Sequence, residues 1–256
     1  MAATFDAIAS ATFSNKLQFD PPTQLSSSWN HTCVSVANKY LLISITYVPT
    51  ETNTASTEPV YVDSLTYNGN ACTFLDSAIA SGYTTEWWEY TGTLYTTAKA
   101  LVIRWGSPTP GSTVIFTASA SSISSIGTNQ TTPLVGITKA TGTSTTISAT
   151  RTGASANNLF IDGCVVHNST TALTMTKVAN STQRYNASIG KGVSAAKVGR
   201  SSVAATGASQ TVSWSLTASK PWATMIAEVA AAAAPSGTLI QSPNIPMGIK
   251  MLGGLI

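Results

Sequence analysis

Apolar and polar residues alternate along much of this chain, and this alternation is the strongest signal in the sequence. In residues 211–216, Val212, Trp214 and Leu216 are apolar, whereas the odd positions carry hydroxyl groups. Successive side chains of a β-strand point to opposite faces, so the pattern predicts a strand with one buried face and one face that meets solvent or a partner. The same period predicts further strands at residues 40–48, 60–67, 85–90, 99–105, 113–119, 158–167, 172–178 and 223–229.

Turn residues separate the predicted strands, and no stretch keeps a helical period. Asn68 and Gly69 stand between two apolar segments and predict a tight hairpin. Residues 107–111, rich in Pro and Gly, end one strand before the next begins. A short helical turn is expected near residues 128–134. Many short strands joined by such turns predict an all-β fold, an antiparallel jelly-roll-like β-sandwich.

The C-terminal part of the chain has a different pattern and predicts a separate segment. We expect the sandwich to cover residues 1–229 and a linker to cover residues 230–237. Residues 238–256 are strongly apolar, yet Pro and Gly interrupt them and oppose a helix. They predict an extended arm that docks on a partner, with the alternative that the arm folds back on its own sandwich. The residues expected to anchor the arm are Ile240, Ile245, Met247, Ile249, Met251, Leu252, Leu255 and Ile256.

Charged residues make up only 9% of the chain, compared with a usual share of about 25%. Serine and threonine take their place, so the polar faces carry hydroxyl groups, which pack against neighbouring proteins without the cost of desolvating charges. The net charge of +3 is spread along the chain. Because nucleic-acid-binding proteins carry stronger basic stripes, we expect no nucleic-acid partner. The nearest approach to a basic cluster is Arg184, Lys191, Lys197 and Arg200.

The number and spacing of the cysteines, together with the first six residues, indicate where the protein is located. Cys33, Cys72 and Cys164 are odd in number and widely spaced, which predicts buried free thiols rather than a disulfide framework. No stretch approaches the about 18 apolar residues of a membrane span, so no membrane partner is expected. The first six residues lack the basic and apolar regions of a secretory signal. A surface-type protein without that signal needs another exit route, and assembly into a virion released by lysis provides one, so we expect a virion location.

Two carboxylates flank a pair of tryptophans and raise the question of a glycosidase cleft. Glu86 and Glu89 stand on either side of Trp87 and Trp88, and paired carboxylates hydrolyse glycosidic bonds. A spacing of three along a strand, however, places the two carboxylates on opposite faces. We therefore expect no catalytic pair here and no enzymatic activity.

Metal and cofactor binding have little support in the sequence. His31 and Cys33 are two residues apart in an extended segment and could share a face. A zinc site needs several nitrogen, sulfur or carboxylate ligands, and the chain has two histidines, so an ordinary strand histidine is the expectation. We expect no metal and no cofactor.

Several short motifs, taken in order, resemble a known family. They are the S-L-T-Y-N-G segment at residues 64–69, the E-W-W segment at 86–88, the Q-R-Y-N segment at 183–186 and the V-S-W-S-L segment at 212–216. This order is similar to that of a β-sandwich domain family of phage virion proteins and bacterial surface proteins. The resemblance spans roughly residues 4–229. It implies a jelly-roll-like domain and supplies no established catalytic residues.

These observations predict a non-enzymatic phage virion structural protein, a capsid decoration or cement protein on the particle surface. The expected partners are other virion proteins, the major capsid or tail proteins, and further copies of the chain, with a trimer as one candidate state. The alternative is a head or tail fibre protein, or a receptor-binding adhesin that recognises host-surface glycans. Aromatic rings on an exposed sandwich face can stack on sugars, and the candidates for that role are Trp29, Trp87 and Trp88.

Overall fold

Antiparallel strands account for all of the regular secondary structure among the described residues, which contain no helix. The computed structural model describes residues 2–18, 25–34, 38–52, 60–106, 113–167, 173–178, 180–190 and 195–233. The predicted all-β fold, with antiparallel sheets packed together, is confirmed. Its physical basis is a sequence rich in Thr, with Val, Ile and aromatic residues at many of the buried strand positions, since these residue types suit pleated and half-buried surfaces.

The described residues form fifteen strands of very different lengths. They are β1 (Thr4–Gln18), β2 (Ser26–His31), β3 (Tyr40–Thr52), β4 (Tyr61–Tyr67), β5 (Asn70–Ala71), β6 (Thr73–Ala80), β7 (Tyr83–Tyr90), β8 (Lys99–Gly106), β9 (Thr113–Ile126), β10 (Leu134–Thr152), β11 (Leu159–His167), β12 (Met175–Lys177), β13 (Thr182–Ile189), β14 (Ala196–Ala204) and β15 (Ser209–Val229).

Three sheets form from these strands. The central sheet has the order β1-β9-β3-β7-β6, and the outer sheet has the order β2-β8-β4-β5. The C-terminal sheet has the order β10-β15-β11-β14-β13, and β12 pairs with β15 beside this path.

Eight of the first nine strands pair as a nested hairpin, and the ninth, β6, pairs with β7 at the edge of the central sheet. β4 pairs with β5, β3 with β7, β2 with β8 and β1 with β9. The strands before the turn at residues 68–69 therefore pair, in reverse order, with strands after it. At that turn, Asn68 and Gly69 have φ angles of 49° and 80°. Positive φ at both central residues is the type I′ geometry that suits twisted strands, so the predicted hairpin is confirmed.

The central sheet is buried on both faces because side chains alternate along its strands. In β3, Ile43 and Ile45 belong to one core cluster with Ile103 of β8 in the outer sheet. Leu42 points the other way and belongs to a second cluster with Val165 of β11 in the C-terminal sheet. The sandwich predicted for residues 1–229 therefore contains three stacked sheets rather than two.

The C-terminal sheet curls over itself at a break in β15. This strand pairs with β10, but the register shifts between Ser215 and Lys220. Val212, before the break, and Ile226, after it, lie in one cluster with Phe160 of β11. As a result β11 is buried on both faces, which agrees with its nearly continuous apolar sequence.

The helical turn predicted near residues 128–134 is wrong. Thr128 forms a β-bridge with Ala231, and Leu134 begins β10. Both the amide and the hydroxyl of Thr128 donate hydrogen bonds to the carbonyl of Asn38, at 3.0 and 2.8 Å. Partners distant in sequence thus hold this segment in an extended form, which its local composition does not reveal.

Several strands have no counterpart in the sequence prediction. They are β1, β2, β5, β6, β10, β13 and β14. In β10, exposed and half-buried residues alternate over most of its length, so polar residues occupy both faces and the period-2 hydrophobic signal is weak. β15 was predicted as two strands, at residues 211–216 and 223–229, and its register break separates the same two halves.

The chain continues past β15 in a defined position. Ala230 N donates to Pro133 O at 2.7 Å, and Ala232 N donates to Gly127 O at 2.7 Å. Residues 230–233 therefore run beside the segment that follows β9. The predicted arm at residues 238–256, with its eight anchoring residues, and the linker from residue 234 onward lie outside the described residues.

Candidate functional site

A groove of about 700 Å³ lies where the edge of the central sheet meets the edge of the C-terminal sheet. It runs between β1 on one side and the β13–β14 pair on the other. Its apolar lining comes from Ala3, Phe5, Leu159, Val203 and Ala204. Its polar lining is formed by Thr4, Asn180, Ser181, Thr182, Arg184, Ser202 and Thr206.

Two β-bulges meet at this groove. In β1, the register with β9 shifts between Phe5 and Ala7. In β13, the register with β14 shifts between Gln183 and Tyr185, so Arg184 is the extra residue of a bulge on an edge strand. A bulge redirects a side chain away from the regular alternation, and such bulges are frequent beside functional sites.

The redirected arginine is held in place from two sides. The guanidinium carbon of Arg184 lies 3.6 Å from the centre of the Phe5 ring, as in a cation–π contact. Its Nε donates a hydrogen bond of 2.8 Å to Ser202 Oγ. Burial lowers the pKa of Arg184, yet an arginine side chain stays protonated at neutral pH. The groove therefore contains a fixed and partly desolvated positive charge.

A second polar feature lies deeper, at the interface between the central and C-terminal sheets. Arg200 of β14 is fully buried there and reaches Thr46 of β3. Thr46 Oγ1 in turn donates to Thr85 Oγ1 at 3.0 Å. Arg200 Nε and Trp87 Nε1 have no hydrogen-bond partner among the described residues. Directed hydrogen bonds, rather than an ion pair, thus join the two sheets at this point.

The tryptophans predicted to stack on glycans are buried, which corrects that prediction. Trp87 is 0% exposed, and Trp29 and Trp88 are each 8% exposed. The indole of Trp29 donates to Ser122 Oγ at 3.1 Å, and that of Trp88 donates to Glu86 Oε2 at 2.9 Å. A sugar stacks on an exposed ring face, and these rings offer none. Trp87 and Trp88 lie in the central sheet, which is covered on both faces, and Trp29 packs from the outer sheet into the core between the two sheets.

The carboxylates beside those tryptophans lie on opposite faces of β7, as predicted. Glu86 accepts a hydrogen bond from Tyr47 at 2.7 Å in addition to the one from Trp88. Glu89 accepts a hydrogen bond of 2.8 Å from Tyr40, which belongs to the cluster on the opposite face. Both carboxylates serve as acceptors for buried aromatic side chains, and neither faces the groove.

His31 and Cys33 take structural positions in the core. His31 Nδ1 lies 2.9 Å from Ser122 Oγ, and burial lowers the pKa of this histidine to about 4. Within the described ranges, no group of three or more His, Cys, Asp or Glu residues could hold a metal ion. The predicted free thiols are confirmed, since Cys33, Cys72 and Cys164 are all buried and unbonded to one another.

The basic residues noted in the sequence do not form one surface. Arg200 is buried, Lys197 is half-buried on the same strand, and Arg184 lines the groove. Lys191 lies outside the described residues.

Sequence reasoning did not find the groove. Phe5 and Arg184 are far apart in the chain, and a β-bulge leaves no compositional signal in a strand. In the sequence, Arg184 stands out only as part of the Q-R-Y-N segment at 183–186 and of the loose basic cluster. The signal that could have directed attention to it is an arginine in a chain where charged residues are scarce.

Comparisons of the chain with protein-family models, with curated proteins and with solved structures found no match. In the part of the chain that the structure describes, no helix is long and apolar enough to cross a membrane.

Proposed function

We propose that this chain is a non-enzymatic structural protein of a phage virion, a capsid decoration or cement protein on the particle surface. The observation that carries the proposal is the nested pairing of eight of the first nine strands. Successive partners alternate between the central and outer sheets, with β1–β9 and β3–β7 in one and β2–β8 and β4–β5 in the other. We infer from this order that residues 4–126 form a jelly roll, the architecture of many viral capsid and lectin domains.

The chemistry of the surface also supports a role in assembly. Only 9% of the residues are charged, so a neighbouring protein can cover the hydroxyl-rich faces without burying many unpaired charges. The apolar area buried between this protein and its neighbour, together with many copies binding to the same particle, would then supply the affinity. A decoration protein needs this property because it must lie against a shell over a large area.

The anchoring arm at residues 238–256 is the part proposed to bind the particle. Its apolar residues provide area for burial against a shell protein, and its prolines and glycines suit an extended path. Ala232 lies beside Gly127, just after the end of β9. The described part of the chain thus ends beside the segment that follows β9. The proposal is that residues 238–256 bind a neighbouring subunit.

Binding to particles that lack this protein tests the proposal. The full-length chain is compared with a chain that ends after residue 237 and with the variant Leu252→Asp. The matched control is Ser242→Asp, which adds the same charge at a polar position of the same arm. We expect saturable binding by the full-length and control chains, and its loss in the other two while their circular dichroism stays unchanged.

Other outcomes would overturn the proposal or redirect it. If the chain binds particles equally well without the arm, the arm does not anchor the protein. Absence of binding to particles, together with binding to host cells, would favour the fibre or receptor-binding alternative. A truncated chain that fails to fold would mean that the arm belongs to the core of its own sandwich, and Leu252→Asp then tests the arm in the full chain.

A further inference from the structure

We propose that the groove between β1 and the β13–β14 pair binds the carboxylate of an acidic sugar, with Arg184 as the residue that contacts it. This site is separate from the arm and does not depend on the role of the chain in a particle. The inference rests on the unpaired charge in the groove, on its fixed geometry and on the chemistry of its walls.

The charge in the groove has no counterion among the residues that the structure describes. The ion pairs among the described residues join Lys139 to Asp76 and Arg151 to Glu228, and none of the described residues that line the groove is a carboxylate. Asp6, next to Phe5 in the chain, directs its carboxylate to Ser124 Oγ at 2.7 Å. A partly buried guanidinium without a counterion is suited to an anionic ligand, because the charge and hydrogen bonds of the ligand compensate for the hydration that burial removed.

The geometry of Arg184 prepares it for this contact. The Phe5 ring lies against one face of the guanidinium, and Ser202 Oγ accepts a hydrogen bond from its Nε atom. These two contacts fix the orientation of the guanidinium plane. The structure records no further hydrogen bond from Arg184 to a described residue, so its two terminal nitrogens are available. A guanidinium fixed in this way can bind both oxygens of a carboxylate at once, with little loss of side-chain entropy.

The walls of the groove fit a sugar rather than a simple anion. Hydroxyl and amide groups of Thr4, Asn180, Thr182 and Thr206 line it, and they match the hydroxyl groups of a pyranose. Ser181 Oγ is buried and makes no hydrogen bond to a described residue. The volume of about 700 Å³ lies within the usual range of small-molecule sites, which is about 300–1,000 Å³.

The single positive charge favours a carboxylate over a phosphate. A phosphate monoester carries a charge of about −1.5 to −2 near neutral pH and is usually met by several cations. Arg184 is the one cationic residue that lines the groove among the described residues. One carboxylate would neutralise it, and the sugar ring would lie over the accessible apolar lining from Val203 and Ala204.

Nuclear magnetic resonance titration of the full chain tests this proposal. The probes are the methyl glycosides of N-acetylneuraminic acid and of glucuronic acid, their neutral methyl esters, and inorganic phosphate. We expect at least one acid to shift the amide signals of groove residues such as Thr4, Thr182 and Thr206. Its methyl ester should bind at least about tenfold more weakly, since the ester lacks the charge that Arg184 pairs.

Matched variants separate the site from a general effect of charge. Arg184→Gln should weaken binding of the acid at least about tenfold, and Arg184→Lys should restore little because it lacks the planar fork. Arg104→Gln removes the same charge from an exposed position on β8 and should leave binding unchanged. If Arg184→Gln fails to fold, Thr182→Trp blocks the groove from an exposed position and should abolish the shifts.

The proposal fails if neither acid binds at millimolar concentration. It also fails if the acid and its ester bind equally well, if phosphate binds more tightly than both acids, or if the shifted signals lie away from the groove.

Discussion

Arg200 donates a hydrogen bond of 2.9 Å from Nη2 to Thr46 Oγ1 and thereby joins β14 of the C-terminal sheet to β3 of the central sheet. Its Nη1 donates to the carbonyls of Cys164 and Gly199, at 3.2 and 2.7 Å. Burial lowers the pKa of Arg200, and neutral oxygens take the place of a carboxylate in contact with it. Because water cannot reach a buried charge of this kind, the stability of the fold depends strongly on each hydrogen-bond acceptor that the charge has.

Replacing Thr46 should therefore destabilise the fold. Thr46→Val keeps the shape of the side chain but removes the acceptor, which leaves Nη2 of Arg200 buried without a partner. We expect the free energy of unfolding to fall by about 1–3 kcal/mol, measured by urea denaturation. Thr150→Val is the matched control, because Thr150 bonds Thr211 on the exposed side of β10. It should change stability by less than about 0.5 kcal/mol, and equal effects of the two changes would contradict the buried role of Thr46.

Glu228 should make stability depend on acid pH. It is buried and accepts hydrogen bonds from Arg151 at 2.5 Å and from Asn158 at 2.7 Å. Burial alone would raise the pKa of Glu228, but these donors outweigh it and lower the pKa below its ordinary value. The folded chain thus releases this proton more readily than the unfolded chain does. The free energy of unfolding should fall as pH drops below about 4.5, and Glu228→Gln should flatten that part of the curve in urea titrations.

The same substitution at Glu86 provides a control with the opposite sign. Burial raises the pKa of Glu86, and hydrogen bonds from Tyr47 and Trp88 offset only part of that effect. The folded chain holds this proton to higher pH than the unfolded chain, so stability from Glu86 is lost as pH rises through its folded pKa. Glu86→Gln should remove that loss. If both variants changed the pH dependence in the same direction, one of the two pKa directions would be wrong.

A side chain at Gly69, in the hairpin between β4 and β5, should lower the stability of the protein. This residue has a φ of +80°, and a Cβ there would meet nothing within 4 Å, so any cost of Gly69→Ala comes from the backbone alone. We expect a loss of about 1 kcal/mol, seen as a lower melting temperature. Gly207 has equally open space and no left-handed backbone. Gly207→Ala should be neutral or stabilise by up to about 1 kcal/mol, and similar losses at both sites would exclude the backbone explanation.

The three thiols should be inert in the native protein. Cys33, Cys72 and Cys164 are buried and free, and burial raises the pKa of Cys72 to about 12. Because the thiolate is the reactive form, an aromatic disulfide reagent should label the native chain slowly and the urea-unfolded chain rapidly. Reductant should leave the melting temperature unchanged. Fast labelling of the native chain, or a large drop in melting temperature with reductant, would be incompatible with buried free thiols.

Several features of the fold could be predicted because they depend on local sequence. The alternation at residues 211–216 predicted part of β15, and Asn68–Gly69 predicted the turn between β4 and β5. The opposite faces of Glu86 and Glu89 followed from strand geometry alone. By contrast, β10 and the segment around Thr128 were missed, because partners distant in sequence hold them and their own residues are polar on both sides.

The sequence by itself determined that this chain forms antiparallel strands with free, buried thiols, since side-chain alternation and cysteine spacing are local properties. Only the tertiary structure decided which faces are covered. A third sheet lies over the central one and takes Trp87 out of reach of any sugar. The contact between Phe5 and Arg184 likewise exists only because two bulged edge strands meet. A strand pattern gives the direction of each side chain within its own sheet, whereas the packing of sheets decides what each side chain contacts.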